Sequence, residues 1–489
     1  MKKIIFSIAT LSLMVASCVN EPNSYNNDHQ KAYDVPANTL LTNAEKEIAD
    51  QMTTPNVNLN IFRMFDQYWT ETQYITEARY RVTTRKIPDG HWNNLFRDAL
   101  GSLEAAKTAI NAEVRGADIA PADWTIQQTN KLAVIEIIEV YTYQILVDTF
   151  GDIPYTDALN PNIVLPKYDK ASEIYPKLIT RLNLAIGNLN TSGNSFSTGE
   201  NIYKGNTAKW KLFANSLKIK LGINLSDVNN ALAKSTIESA VLSGVISTNA
   251  NNANFKYDNV TPNYNPIYDN LVASQRNDFV PTSTLINDMN LLNDPRRTAY
   301  FTFKPSTTSY VGGKYGYANS YATFSHMSDL IKTVNAPATL FEATEVNFLL
   351  AEAAERGFSV GNTAENYYNQ AIQTSFEFWG LTSLSATTYL ADPNVAYTTA
   401  PGASYKDKIG RQAWIALFNR GFESWTTWRR LDAPALVAPL NAYPEANGVI
   451  PTRLTYPVNE QTVNGANWQA ASNAIGGDKL STKIFWDVN

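Results

Sequence analysis

The chain has 489 residues, with 40 Lys and Arg against 45 Asp and Glu, and a net charge of −5. With no basic run it lacks the electrostatic footprint of a nucleic-acid-binding protein. Its 26 Tyr, 20 Phe and 10 Trp exceed what one core must hold, so some rings are expected at the surface, where Tyr and Trp offer a flat apolar face and a polar tip.

Lys2 and Lys3 precede a mostly apolar run, Ile4 to Val15, the order of a secretory signal. The run is well short of the roughly 20 residues of a spanning helix. Val15-Ala16-Ser17-Cys18 fits the bacterial lipobox: an aliphatic residue, two small ones, then cysteine. Residues 1–17 are therefore expected to be a cleaved lipoprotein signal peptide. Cys18 is expected to carry diacylglycerol on its thiol and a palmitate-type chain on its amine. One acyl chain binds membranes marginally, whereas two or more hold firmly. The competing reading is an ordinary secreted protein with a chance cysteine after the cut. Cys18 is the only cysteine, so lipidation leaves no thiol for disulfides, nucleophilic catalysis or metal binding. Residues 18–38, polar with scattered Asn, Pro and Asp, read as a lipidated flexible tether, and 39–489 as a single domain.

Helices dominate thereafter. Leu132, Ile135, Ile138, Tyr141, Ile145 and Thr149 recur at helical spacing and stop at Gly151. Ile174, Leu178, Leu182, Ile186 and Leu189 form a second stripe, begun near Asp169. Trp210, Phe213, Leu217 and Leu221 form a third, entered through Asn206 or Thr207 as N-cap. Val346, Leu349, Leu350 and Ala353, then Ala364, Tyr367, Tyr368, Ala371, Ile372 and Phe376, predict two helices punctuated by Gly357 and Gly361. Together they have the length of one tetratricopeptide unit. A last helix is expected near Trp414, Leu417, Phe418 and Trp425. Residues 245–325, 384–408 and 435–475 read as loops, with a short strand at Ala299–Phe303. The fold class predicted is mainly α: tetratricopeptide-like helix pairs with a loop-rich ligand region and a few short strands.

The search for catalytic chemistry is mostly negative. His29, His91 and His326 show no metal spacing, and no nucleophile elbow, zinc-protease or phosphate-loop motif occurs. Asp148, Asp152 and Asp157 could serve a glycoside hydrolase, which needs only two carboxylates, but near a helix end such residues usually cap turns. No catalytic residue, metal site or cofactor is expected. A structural Ca²⁺ has no EF-type spacing behind it.

The positive signal is aromatic. Trp69, Tyr74, Tyr80 and Trp92 stand among amides and hydroxyls. Tyr264 and Tyr268 follow, then Tyr310, Tyr315, Tyr317 and Tyr321 beside Gly312 and Gly313. Such rings stack on the apolar faces of sugars, and peptides use similar surfaces, so these ten residues are the candidate ligand contacts. The competing reading is a Tyr-rich core.

Several segments in order resemble the SusD/RagB family of outer-membrane nutrient-binding lipoproteins, in particular its second, SusD-like branch. They include 67–80, the stretch Leu146-Val-Asp-Thr-Phe-Gly-Asp-Ile-Pro-Tyr-Thr-Asp-Ala-Leu159, 169–178, 210–217, Asn293-Asp-Pro-Arg296, 345–354, 416–430, Arg453-Leu-Thr-Tyr-Pro457 and 476–486. The resemblance implies a lipid-anchored outer-membrane location, facing the cell exterior. It implies a SusC-like TonB-dependent β-barrel as partner, and a non-enzymatic protein that captures an oligosaccharide or peptide and delivers it to that barrel in polysaccharide utilisation. Only Cys18 carries over residue by residue. The remaining alternative is a helical-repeat adhesion or assembly lipoprotein.

Overall fold

In the computed structural model, which describes residues 35–488, the first helix is Ala37–Thr53. Ala37 and Asn38, expected to end the tether, belong to that helix, and Ala37 is buried. Residues Ala37–Asn489 form one compact unit. The expected signal peptide, Cys18 and nearly all of the expected tether lie outside the described residues.

The frame is built of helix pairs, as the periodicity predicts. Pro121–Phe150 packs on Ala171–Asn188, Thr207–Leu225 on Asn230–Ser243, and Ala343–Glu355 on Ala364–Phe378. Neighbouring pairs then stack on one another, giving a tetratricopeptide-like α/α superhelix. The Asn206 side chain accepts the Lys209 N–H, the predicted N-cap. Among the described residues three two-stranded antiparallel sheets complete the frame, including Trp69–Glu71 with Phe279–Pro281.

Further expectations are corrected. The stretches expected as loops carry helices at Ser283–Leu291, Ser383–Leu390 and Gly465–Ala474. The helix expected across 414–425 is two, Tyr405–Ala416 and Gly421–Leu431. The break lets Gly421 lie against the 62–63 backbone, where a Cβ would stand 2.6 Å from the Arg63 nitrogen. The strand expected at Ala299–Phe303 is a helical turn, Arg297–Tyr300, followed by a single bridge from Phe301 to Met327. Asp294 decides this: its carboxylate accepts the Arg296 N–H at 2.9 Å and its carbonyl the Arg297 N–H at 3.2 Å, which winds the chain.

The segments behind the family resemblance are largely scaffold. Arg296, fully buried, pairs with Asp294 at 2.6 Å and donates to Gln412 at 2.8 Å. Arg429 donates to the carbonyls of Asp148 and Thr452, both at 2.8 Å, and lies 3.5 Å over the Trp425 ring. Arg453 donates to the Phe150 carbonyl at 2.8 Å. The Arg429 and Arg453 guanidiniums tie sequence-distant backbone together, and that of Arg296 ties together side chains, each with several donors in fixed geometry.

Candidate ligand-binding face

The pairing of Trp69–Glu71 with Phe279–Pro281 is antiparallel, so the loop leaving Glu71 and the loop entering Phe279 emerge at the same end. Thr72 continues the contact, its N–H donating to the Asp278 carbonyl at 2.8 Å and its hydroxyl to that of Asn277 at 2.7 Å. A third segment joins through Gly313, whose N–H donates to the Pro281 carbonyl at 2.8 Å. Gly312 passes so close that a Cβ would stand 2.2 Å from the Thr282 carbonyl oxygen. Beyond it the Asn319 amide donates to the carbonyls of Glu71, Lys314 and Tyr317.

A fourth segment, 434–447, closes the cluster. The Asn441 amide donates to the Gly316 carbonyl at 2.8 Å, and Arg79 Nε donates to the Asn441 carbonyl at 2.6 Å. The Glu445 carboxylate accepts the N–H groups of Val82 at 2.7 Å and Thr83 at 3.2 Å. Four loops from distant parts of the chain thus share one surface on a rigid frame, the usual setting of binding groups.

The aromatic candidates divide by burial. Four belong to the core, which contradicts their expected role as contact surfaces. Trp69 packs on Phe279 with Arg63 over its ring. Tyr80 lies between Phe65 and Tyr315, and Trp92 among Phe96, Phe150 and Tyr168. Tyr315 donates its hydroxyl to the Met64 carbonyl at 2.5 Å. Large apolar rings in a closely packed frame are held where they remove most surface from water.

The others reach solvent at separate places. Tyr74, 82% exposed, stands on the four-loop face. Tyr317, half-buried on the same face, carries Lys314 Nζ 3.8 Å above its ring. Tyr321 stacks on His326 at 3.7 Å, and Tyr310 packs on Phe303 at 4.7 Å. Tyr264 and Tyr268 touch edge to face at 5.2 Å elsewhere, and Tyr264 borders a polar cleft of about 360 Å³ with Lys46, Asp50, Asn94 and Asn270.

Beneath the face lies a carboxylate pair. Burial, and then hydrogen bonding and repulsion with Glu77, push the Glu71 carboxyl up to about 10, so it keeps its proton at neutral pH. Glu71 also accepts the Ala78 N–H at 3.2 Å, and Glu77 pairs with Arg85 at 3.2 Å. The proton lets two acids sit together under the 71–78 turn.

The clustered aspartates have structural partners. Asp148 is fully buried and accepts from Trp486 Nε1 at 2.9 Å, Asn224 at 3.3 Å, Tyr175 and Gln144. Asp152 accepts the Ala171 N–H at 2.8 Å, and Asp157 the Lys167 N–H at 3.5 Å. With Asp148 sealed from solvent and its oxygens occupied, it is not placed to serve in a hydrolase pair. Among the described residues no group of three or more His, Cys, Asp or Glu side chains could hold a metal ion, and no helix is long and apolar enough to cross a membrane.

Sequence reasoning missed Arg79, Arg81 and Tyr443. The guanidinium carbons of both arginines approach the Tyr443 ring, at 4.6 and 5.3 Å from its centre. Arg79 and Tyr80 lie in a turn and Tyr80 has a φ of 65°, so no strand-type alternation in the sequence marks Tyr80 as the buried member.

No curated protein matches the chain. Solved structures do. A SusD-like protein of Bacteroidetes AC2a superposes with a TM-score of 0.81 at 24% identity, covering 93% of this chain and all of the other. A chitin-binding protein gives 0.78 at 25% identity, with the same coverage. A SusD homologue from Bacteroides uniformis gives 0.77 at 28% identity, covering 94% of this chain and all of the other. A family model, SusD-like_2, described as starch-binding and associating with the outer membrane, matches residues 27–457. Covering most of the sequence and agreeing with the superhelical fold, this match makes the chain a member of the SusD-like family.

Proposed function

We propose that this protein is a non-enzymatic, lipid-anchored component of an outer-membrane uptake system. It captures an oligosaccharide and passes it to a SusC-like TonB-dependent barrel. The carrying observation is the four-loop face, where Tyr74 and Tyr317 stand among exposed amides and cations on a rigid helical frame. An apolar ring beside hydrogen-bonding groups suits a sugar, which has apolar C–H faces and polar hydroxyl edges. The family's description as starch-binding and the likeness to a chitin-binding protein support a glycan over a peptide.

The proposed anchor is Cys18, cleaved before and lipidated at its thiol, with residues 18–36 as tether, 37–489 as the single capturing domain, and the body at the cell exterior. The test is calorimetric titration of the protein with soluble chitin, starch and peptide fragments, alongside an assay for release of shorter sugars. Binding of a saccharide without turnover is the expected result. Hydrolysis, or binding of peptides alone, would sink the reading.

A further inference from the structure

We infer that the saccharide taken by the four-loop face is anionic, bearing carboxylate or sulfate groups that Arg79 and Arg81 hold beside Tyr443. The inference rests on the capture function proposed above and names its ligand class.

Two guanidinium groups lie within 5.3 Å of the centre of one tyrosine ring. Both cations are held at the same ring, and an anion joining them offsets their mutual repulsion. The ring's quadrupole attracts each of them but does not neutralise either. Among the described residues neither arginine has a carboxylate within ion-pairing distance. The nearby acids are engaged elsewhere: Glu77 with Arg85, Asp278 with Arg276 at 2.7 Å, and Glu445 with the amides of Val82 and Thr83.

Most of the arginine donors remain open. Arg79 commits Nε to the Asn441 carbonyl and Arg81 commits Nε to Thr84. The terminal amino groups of both are left to acceptors from outside. A guanidinium fork matches the paired oxygens of a carboxylate or sulfate. The Nε contact of Arg79 fixes that fork on a half-buried stem.

The charge is local. The whole chain is acidic, at −5, yet a third cation, Lys314, stands over Tyr317 on the loop that Asn441 ties to this one. The face therefore alternates rings, which suit sugar C–H surfaces, with cations, which suit acidic substituents. A neutral glycan would use the rings and leave the cations without partners.

The test compares polygalacturonate, chondroitin sulfate, an amylose fragment, a chitin oligosaccharide and a poly-Glu peptide on the same protein, by calorimetry at low and high salt. One or both anionic saccharides should bind at least about tenfold tighter than the neutral ones. That advantage should shrink as salt rises. The polygalacturonate and chondroitin sulfate arms tell carboxylate from sulfate. R79Q and R81Q should each weaken anionic binding about tenfold, the effect of losing a charge-assisted hydrogen bond, and R79K/R81K, which keeps the charge but loses the fork, should also bind more weakly. Tighter binding of neutral sugars overturns this inference and leaves the capture function standing. Equal binding of poly-Glu peptide overturns it too, by assigning the cations to peptide. If no saccharide binds at all, both fall.

Discussion

Tyr315 and Met64 are joined across 251 positions of sequence by a hydrogen bond from the tyrosine hydroxyl to the methionine carbonyl, 2.5 Å long. The bond fastens the loop that carries Tyr317 to the frame beneath it. The ring at 315, which by its glycine-rich setting reads as a surface ring, is instead the pin of the surface. Replacing Tyr315 with alanine should remove a buried ring and orphan a carbonyl, costing about 3 kcal/mol. A fall in melting temperature of several degrees, with a smaller fall for Tyr315→Phe, is the expected calorimetric outcome. An unchanged transition would mean that the ring is not packed as described.

Tyr74 and Tyr317 should behave in the opposite way. Both reach solvent, so Tyr74→Ala and Tyr317→Ala should leave the melting temperature nearly unchanged. Each should weaken saccharide binding by about 1 kcal/mol, or roughly fivefold, if its ring stacks on sugar. Titration of both variants with the same ligand, next to Tyr264→Ala in the separate polar cleft, shows which surface the sugar occupies.

Glu71 predicts a pH dependence whose sign is fixed by burial. The folded protein holds its proton to about pH 10, whereas an unfolded glutamate releases it near the ordinary value of about 4.3. The stabilisation from the folded state's extra proton is full below that lower value and is lost as pH rises towards the higher one. Glu71→Gln keeps the hydrogen-bonding shape and removes the titration. The native protein should therefore lose melting temperature between pH 5 and pH 9 more steeply than Glu71→Gln does. Parallel curves would show that Glu71 is ionised in the fold.

Asp148 separates capture from catalysis. Its carboxylate accepts from Trp486, Tyr175, Gln144 and Asn224 in the core, so Asp148→Asn should destabilise by about 2 kcal/mol with no change in any sugar-releasing rate. A hydrolysis present in the native protein and abolished in this variant would contradict the capture function.

Cys18→Ala tests the anchor. Without the thiol no thioether to diacylglycerol can form, so the variant should leave the membrane fraction on cell breakage while the native protein stays with it. Retention of both in the membrane would mean that another contact holds the protein there.

Much of the frame was readable because helix formation is local. The stripes at 132–149, 174–189, 346–353 and 364–376 each have the spacing of one helical face, and the chain winds accordingly. The break at Gly421 and the turn at Arg297–Tyr300 were not readable, since they answer to Arg63 and Asp294, partners that only the fold or a side-chain bond brings near.

By itself the sequence determined a mainly helical chain with tetratricopeptide-like pairing, a family membership spread over most of its length, and the aromatic supply from which a binding face could be made. Only the tertiary structure decided which rings are available. Trp69, Tyr80, Trp92 and Tyr315 turn inward while Tyr74 and Tyr317 turn outward, and Arg79, Arg81 and Tyr443 meet across some 360 positions. The physical reason is that Tyr and Trp suit both core and surface, having an apolar body and a polar tip. Composition cannot choose between the two, and the choice falls to the packing of segments that are remote in the chain.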